Sequence, residues 1–138
     1  MPDVCTLNLD FRLTPTFDAL DARSLIEANV AAIDRDSPLL RPTEIQELDG
    51  WPAYRLPPAA SVSLALRSAA QQVLGRDLPE EIAGPSSVAN YLATMGIGAT
   101  SGFGVNYRNL HAADECIELA TLEPAYQAYL IAIRRLLG

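Results

Sequence analysis

The chain has 138 residues, enough for one domain or two small subdomains; 49% are apolar and 20% charged, so a packed core is expected and intrinsic disorder is not. One histidine, His111, and two cysteines, Cys5 and Cys116, exclude a multi-histidine metal site and a four-cysteine or two-Cys-two-His zinc module built from this chain alone. A net charge of −7, with ten basic residues against seventeen acidic ones, argues against nucleic acid and anionic membrane surfaces as partners.

Residues 4–13 alternate. Cys5, Leu7, Leu9, Phe11 and Leu13 share one side, while Thr6, Asn8, Asp10 and Arg12 share the other, which predicts a half-buried strand that Thr14-Pro15-Thr16 ends. Residues 18–35 follow as a helix with Ala22, Leu25, Ile26, Val30 and Ile33 in one apolar stripe. Asp18 and Asp21 sit at its positive end, and Ser37-Pro38 marks its exit. Residues 44–49 read as a short strand, so the first fifty residues are expected to form a β-α-β unit.

The stretch from Gly50-Trp51-Pro52 to Pro57-Pro58 reads as a stiff linker. A second helix over 59–74 carries Val62, Leu66, Ala69, Ala70 and Val73 on one stripe and is closed by Gly75. Beyond it the expected order is a weak strand at 80–83, a turn at Gly84-Pro85-Ser86-Ser87 with a serine N-cap, and a short helix at 87–95 stopped by Gly96. Strands at 97–103 and 115–120 come next, separated by a loop, and then a last helix over 122–137 capped by Thr121. Tyr126, Tyr129, Leu130, Ile133 and Leu137 are expected to face inward from that helix.

No apolar run approaches the roughly 20 residues of a spanning helix. Met1-Pro2-Asp3 opens without the basic and apolar regions of a signal peptide, so a cytoplasmic location with reduced thiols is expected.

The loop from Gly102 to Glu115 holds the single histidine, followed by Asp114 and Glu115, between two predicted strands. Strand-end loops are where ligands sit in α/β sheets, so His111 is a candidate metal ligand or catalytic group oriented by a carboxylate; the plainer alternative is a surface histidine. Gly84-Pro85-Ser86-Ser87 offers backbone N–H groups and hydroxyls to a carboxylate or phosphate, and equally suits an ordinary N-cap. Asp10 and Arg12 could meet a ligand, a partner or only each other. Cys116 suits a packed thiol.

Together these pieces resemble the C-terminal part of the di-zinc deacylase and metallopeptidase family that includes succinyl-diaminopimelate desuccinylase, acetylornithine deacetylase, aminoacylase and the glutamate carboxypeptidases. Leu7 to Leu13, then Thr14-Pro15, is similar to the family's lid strand with its D-x-R ending. Gly50-Trp51-Pro52-Ala53-Tyr54 and Pro57-Pro58 resemble the return from lid to catalytic domain. Gly84-Pro85-Ser86-Ser87 stands at the family's glycine- and serine-rich turn. Met95-Gly96-Ile97-Gly98-Ala99 resembles a strand entry in which Gly98 replaces a proline. Leu110-His111-Ala112-Ala113-Asp114-Glu115-Cys116-Ile117 is similar to the closing metal motif H-x-x-(D/N)-E, in its desuccinylase form.

The resemblance implies an α/β fold in which residues 1–50 form a partial lid, the β-α-β of a ferredoxin-like dimerisation domain. Residues 51–58 would be the linker and 59–138 the C-terminal portion of an α/β zinc-peptidase catalytic domain. It implies His111 as one zinc ligand and Arg12 as the lid arginine that meets a substrate carboxylate. Ser86, Ser87, Gly104, Asn106 and Tyr107 would line the substrate pocket. In the family two zinc ions, or cobalt, hold a water that attacks the amide of an N-acyl amino acid or small peptide, with a glutamate as base. The family's H-x-D motif, bridging aspartate and Glu-Glu pair have no counterpart here. The expected chain is therefore a portion of such an amidohydrolase, inactive alone, that needs a missing N-terminal catalytic segment and forms a homodimer through the lid. The alternative is a non-catalytic dimerisation or binding module derived from such an enzyme.

Overall fold

A computed structural model of the chain describes residues 4–36 and 41–138. The expected Ser37-Pro38 helix exit and the opening Met1-Pro2-Asp3 lie outside those residues. The chain divides into two compact units, Met1–Arg55 and Leu56–Gly138, and the boundary falls inside the stretch 51–58.

The first unit is built on helix α1, Ala19–Asp36. Its start is set by two aspartates that cap reciprocally. Asp18 Oδ1 accepts from the Leu20 and Asp21 N–H groups at 2.8 and 3.1 Å, and Asp21 Oδ2 accepts from the Asp18 N–H at 3.0 Å. This satisfies N–H groups that a helix start leaves unpaired, beyond the charge–dipole role expected from sequence. Along α1, Arg23 bonds Glu27 one turn on and reaches Glu47, and Asp34 accepts from both the hydroxyl and the backbone N–H of Thr43. Before α1 the chain turns through Pro15-Thr16, with Thr14 and Phe17 exchanging backbone bonds of 3.0 and 3.2 Å.

The strands expected at 4–13 and 44–49 are not formed among the described residues. Alternation fixes which side chains share a face, but a strand exists only when a neighbour takes its backbone bonds, and among the described residues of this unit no ladder partner is present. The α1 stripe is correspondingly uncovered. Ala22 is the buried residue of the helix, whereas Leu25 and Ile33 are exposed.

The second unit contains α2 (Ser61–Leu74), α3 (Val88–Thr94), the strands β1 (Tyr107–Arg108) and β2 (Cys116–Ile117), a 3₁₀ turn at Leu119–Thr121 and α4 (Leu122–Leu137). Its core is the packing of α2 on α4. Leu66, Ala69 and Ala132 form the buried cluster, with Ala65, Phe103 and Ile131 against it. Small residues at the crossing let the two helices approach closely, because ridge-into-groove packing sets the axial distance by side-chain size. The inward face of α4 is therefore Ala125, Ala128 and Ala132, one step around the helix from the face expected. Tyr126, Ile133 and Leu137 point to solvent, Tyr129 is 40% exposed and Leu130 is half-buried. The sequence rule assigns the bulkier stripe to the core; here the alanine stripe opposite α2 takes that place.

The helix ends follow the glycines. Gly75 closes α2 in the left-handed conformation (φ 68°, ψ 13°), its N–H bonded to Gln71 O at 2.9 Å. Gly96 (φ 73°) closes α3 in a Schellman arrangement, with Gly96 N–H on Ala93 O and Ile97 N–H on Leu92 O, both 3.0 Å.

Strands expected at 80–83 and 97–103 are absent from the described residues, and the strand expected over 115–120 is reduced to β2 followed by the 3₁₀ turn. No parallel neighbour is available to pair with 97–103, so its short apolar run stays in loop conformation. No helix among the described residues is long and apolar enough to cross a membrane.

Candidate functional site

The glycine-bearing loop of the second unit is organised as a small antiparallel hairpin. Tyr107 pairs with Ile117 and Arg108 with Cys116. Asn106 anchors its base. Its carbonyl accepts from the Glu118 N–H at 2.9 Å, and its amide Nδ2 donates to Glu118 Oε2 at 3.0 Å. Its N–H donates to Thr121 Oγ1 at 3.0 Å. Thr121 in turn donates to Glu118 O at 2.7 Å. Thr121 thus ties the hairpin to the start of α4 and is not a side-chain cap of that helix, the role expected for it. The polar pattern Asn106, Glu118, Thr121 was unmarked in the sequence, because its members meet only once the two strands pair.

The tip of the hairpin carries His111. Asn109, His111 and Asp114 all take left-handed backbone conformations, with φ of 56°, 61° and 59°. Such conformations cost a non-glycine residue of order 1–2 kcal/mol, least for asparagine, aspartate and histidine. Two bonds hold the turn: Ala112 N–H to Asn109 O at 2.9 Å and His111 N–H to Glu115 Oε2 at 3.2 Å. The carboxylate expected to orient the imidazole therefore orients the His111 backbone, and the residue itself is exposed.

A zinc ion asks for about four donors. Among the described residues no three His, Cys, Asp or Glu side chains are grouped so that they could hold a metal. Among the described residues no donor set for zinc or cobalt is therefore assembled, and His111 is exposed at the hairpin tip.

The other candidate residues fall in several places. Asn106 and Tyr107 line a shallow depression of about 310 Å³ with Arg108, Cys116, Ile117 and Glu118. Gly104 is exposed two residues before it, and a Cβ there would meet nothing within 4 Å. Ser87 is the N-cap of α3. Its hydroxyl accepts from the Ala89 N–H at 3.2 Å and its own N–H donates to Asn90 Oδ1 at 2.9 Å, a capping box that uses the Ser87 side chain. Ser86 is exposed beside it. Arg12 belongs to the first unit and makes a long ion pair with Asp10, 3.6 Å, with both side chains exposed. Cys5 and Cys116 are free and exposed, so Cys116 is not the packed thiol expected.

The second unit holds one further charged feature that spacing did not single out. Arg67 of α2 is bonded to both carboxylate oxygens of Asp77, Nε at 2.9 Å from Oδ1, beside a depression lined by Leu64, Ser68 and Gln71. The hydrogen bonds from Arg67 hold the Asp77 carboxyl below its ordinary range, and the same pairing raises Arg67. In the first unit the Thr43 hydroxyl lowers Asp34 in the same way. Tyr129 is raised by burial of its phenol, which donates to Phe103 O at 2.6 Å.

No family model matches the chain, and neither does any of the curated proteins or solved structures compared with it.

Proposed function

We propose that this chain is the C-terminal portion of a zinc-dependent amidohydrolase, a metallopeptidase or deacylase that cleaves the amide bond of N-acyl amino acids or small peptides, and that it is inactive by itself. The observation that carries the reading is the hairpin tip. His111, within Leu110-His111-Ala112-Ala113-Asp114-Glu115, is held outward on three left-handed non-glycine residues. Backbone strain kept at an exposed turn is typical of functional loops. Within this reading His111 is one metal donor, and the other donors come from a complementary segment. Arg12 meets a substrate carboxylate. Gly104, Asn106 and Tyr107 border the substrate, together with Ser86 and the turn capped by Ser87.

The test is reconstitution. The chain is mixed with an N-terminal desuccinylase segment carrying the H-x-D motif and the Glu-Glu pair, in the presence of zinc. Bound metal and hydrolysis of N-succinyl and N-acetyl amino acids are then measured. The expected result is hydrolysis by the mixture and by neither part, with bound zinc lowered by His111→Ala. A mixture that hydrolyses nothing and whose metal content ignores His111→Ala overturns the proposal.

A second reading has its own support. The first unit leaves Leu7, Leu9, Leu20, Leu25, Ile33 and Leu48 exposed, which favours a non-catalytic dimerisation or binding module derived from such an enzyme. A metal-free dimer dissociated by substitutions at Leu7 and Leu25 would favour it.

A further inference from the structure

Helix α4 carries Glu123, Gln127 and Arg134 on one side and apolar residues over a broader arc than one neighbouring helix covers. Its alanine face is already occupied by α2. The exposure on the neighbouring face, about a quarter turn from the alanines, is ordered: Leu122, Tyr126, Tyr129, Ile133 and Leu136 recur at alternating steps of four and three, the period of a seam between two straight helices. With Leu137 beside them, these side chains are 40% to 83% exposed.

We infer that this seam is the interface of a homodimer in which two copies of α4 pack antiparallel about a two-fold axis at Tyr129. Three observations select a second copy. The seam is a near-palindrome: about Tyr129 it places Leu122 against Leu136 and Tyr126 against Ile133, so it complements itself when reversed. Its flank carries Glu123 in the first turn and Arg134 in the last, on the same side of the seam. Antiparallel packing sets the Glu123 carboxylate of one copy beside the Arg134 guanidinium of the other, twice by symmetry, and also opposes the helix dipoles favourably. Parallel packing would put the two Glu123–Arg134 flanks on opposite sides of the seam, where neither pair could form. Glu123 Oε1 accepts from Gln127 Nε2 at 2.7 Å within its own helix, which holds the carboxylate along that flank. The area also suffices. At roughly 200 Å² per full side chain the six residues offer about 650 Å², close to the about 800 Å² per partner of a standard interface.

The inference is independent of the amidohydrolase reading and differs from a dimer through the first unit. Sedimentation equilibrium of the full chain over a concentration series tests it. The wild-type chain is expected to dimerise, and Ile133→Glu to be monomeric with unchanged helix content by circular dichroism. Should Ile133→Glu unfold, charge reversal decides. Glu123→Arg or Arg134→Glu alone is expected to weaken the dimer about fivefold at low salt, and the double reversal to restore it. A chain that stays monomeric overturns the inference, as does a dimer indifferent to both Ile133→Glu and the single reversals. So does a dimer lost only with Leu7 and Leu25 substitutions. Dimerisation abolished by Ile133→Glu or restored by the double reversal supports it.

Discussion

At the scale of single residues, the chain separates positions whose backbone is made easy from positions whose backbone is made hard. Gly75 and Gly96 end their helices at positive φ, where glycine carries no Cβ penalty. Gly75→Ala should lower the stability of the second unit by about 1 kcal/mol, read from urea unfolding, since the open space around a Cβ there does nothing for the torsion. His111 is the reverse case. It holds φ 61° without being glycine. Replacing it by glycine should raise stability by about 1 kcal/mol while removing the imidazole. A thermal melt in which His111→Gly is no more stable than the wild type would remove the argument that this turn keeps its histidine at a cost. The pair of Arg67 and Asp77 belongs at this scale too. Asp77 is depressed in the folded chain below its ordinary value of 3.8, so it binds protons more readily unfolded. Its contribution to stability is complete above that value and is lost as pH falls through the depressed one. Acid titration followed by far-UV circular dichroism should show that dependence flattened in Asp77→Asn, and weakened by added salt because both groups are exposed.

At the scale of elements, helix starts were more legible than helix faces. A serine N-cap was readable in Gly84-Pro85-Ser86-Ser87; the structure gives that place to Ser87, one residue later than a helix starting at 87 implies, closed by Asn90 in a capping box. Ser87→Ala should cost about 1 kcal/mol, whereas Ser87→Asp should keep most of it. If Ser87→Asp retains stability but a reconstituted enzyme loses substrate affinity, capping and substrate contact are separated in one experiment. The α2–α4 crossing is ruled by alanines: Ala69, Ala70 and Ala128 are fully buried. A larger side chain there has nowhere to go, so Ala69→Leu should destabilise by about 1–3 kcal/mol, measured by denaturant midpoint. The expected inward stripe of α4 failed because periodicity reports that a face is apolar without saying which of two apolar faces meets the neighbour. Tyr126 and Ile133 share a face that fits a seam as well as a core.

At the scale of the whole molecule, both units leave large apolar side chains exposed, from Leu7 and Leu9 to Ile82, Leu119 and Leu137. The isolated chain should bind a hydrophobic dye such as ANS at neutral pH, and binding should fall when a partner is supplied. Unchanged dye fluorescence on adding the complementary segment would argue that this surface has another occupant. The two candidate positions, Arg12 and the loop at Asn106, lie in different units.

The sequence by itself determined the helices, because their signals are local: Asp18, Ser87, Gly75 and Gly96 act within a few residues, and three-four spacing marks the helical stretches. It also determined that no multi-histidine metal site can be built from this chain. Only the tertiary structure decided which strands exist, since β1 and β2 form where each supplies the other's backbone partner while the alternating stretch 4–13 finds none among the described residues. It alone decided that Glu115 holds the backbone of His111, that Thr121 serves the hairpin, and that alanines take the core of α4. Each of these depends on groups distant in sequence meeting in space, and local pattern carries no information about which groups will meet.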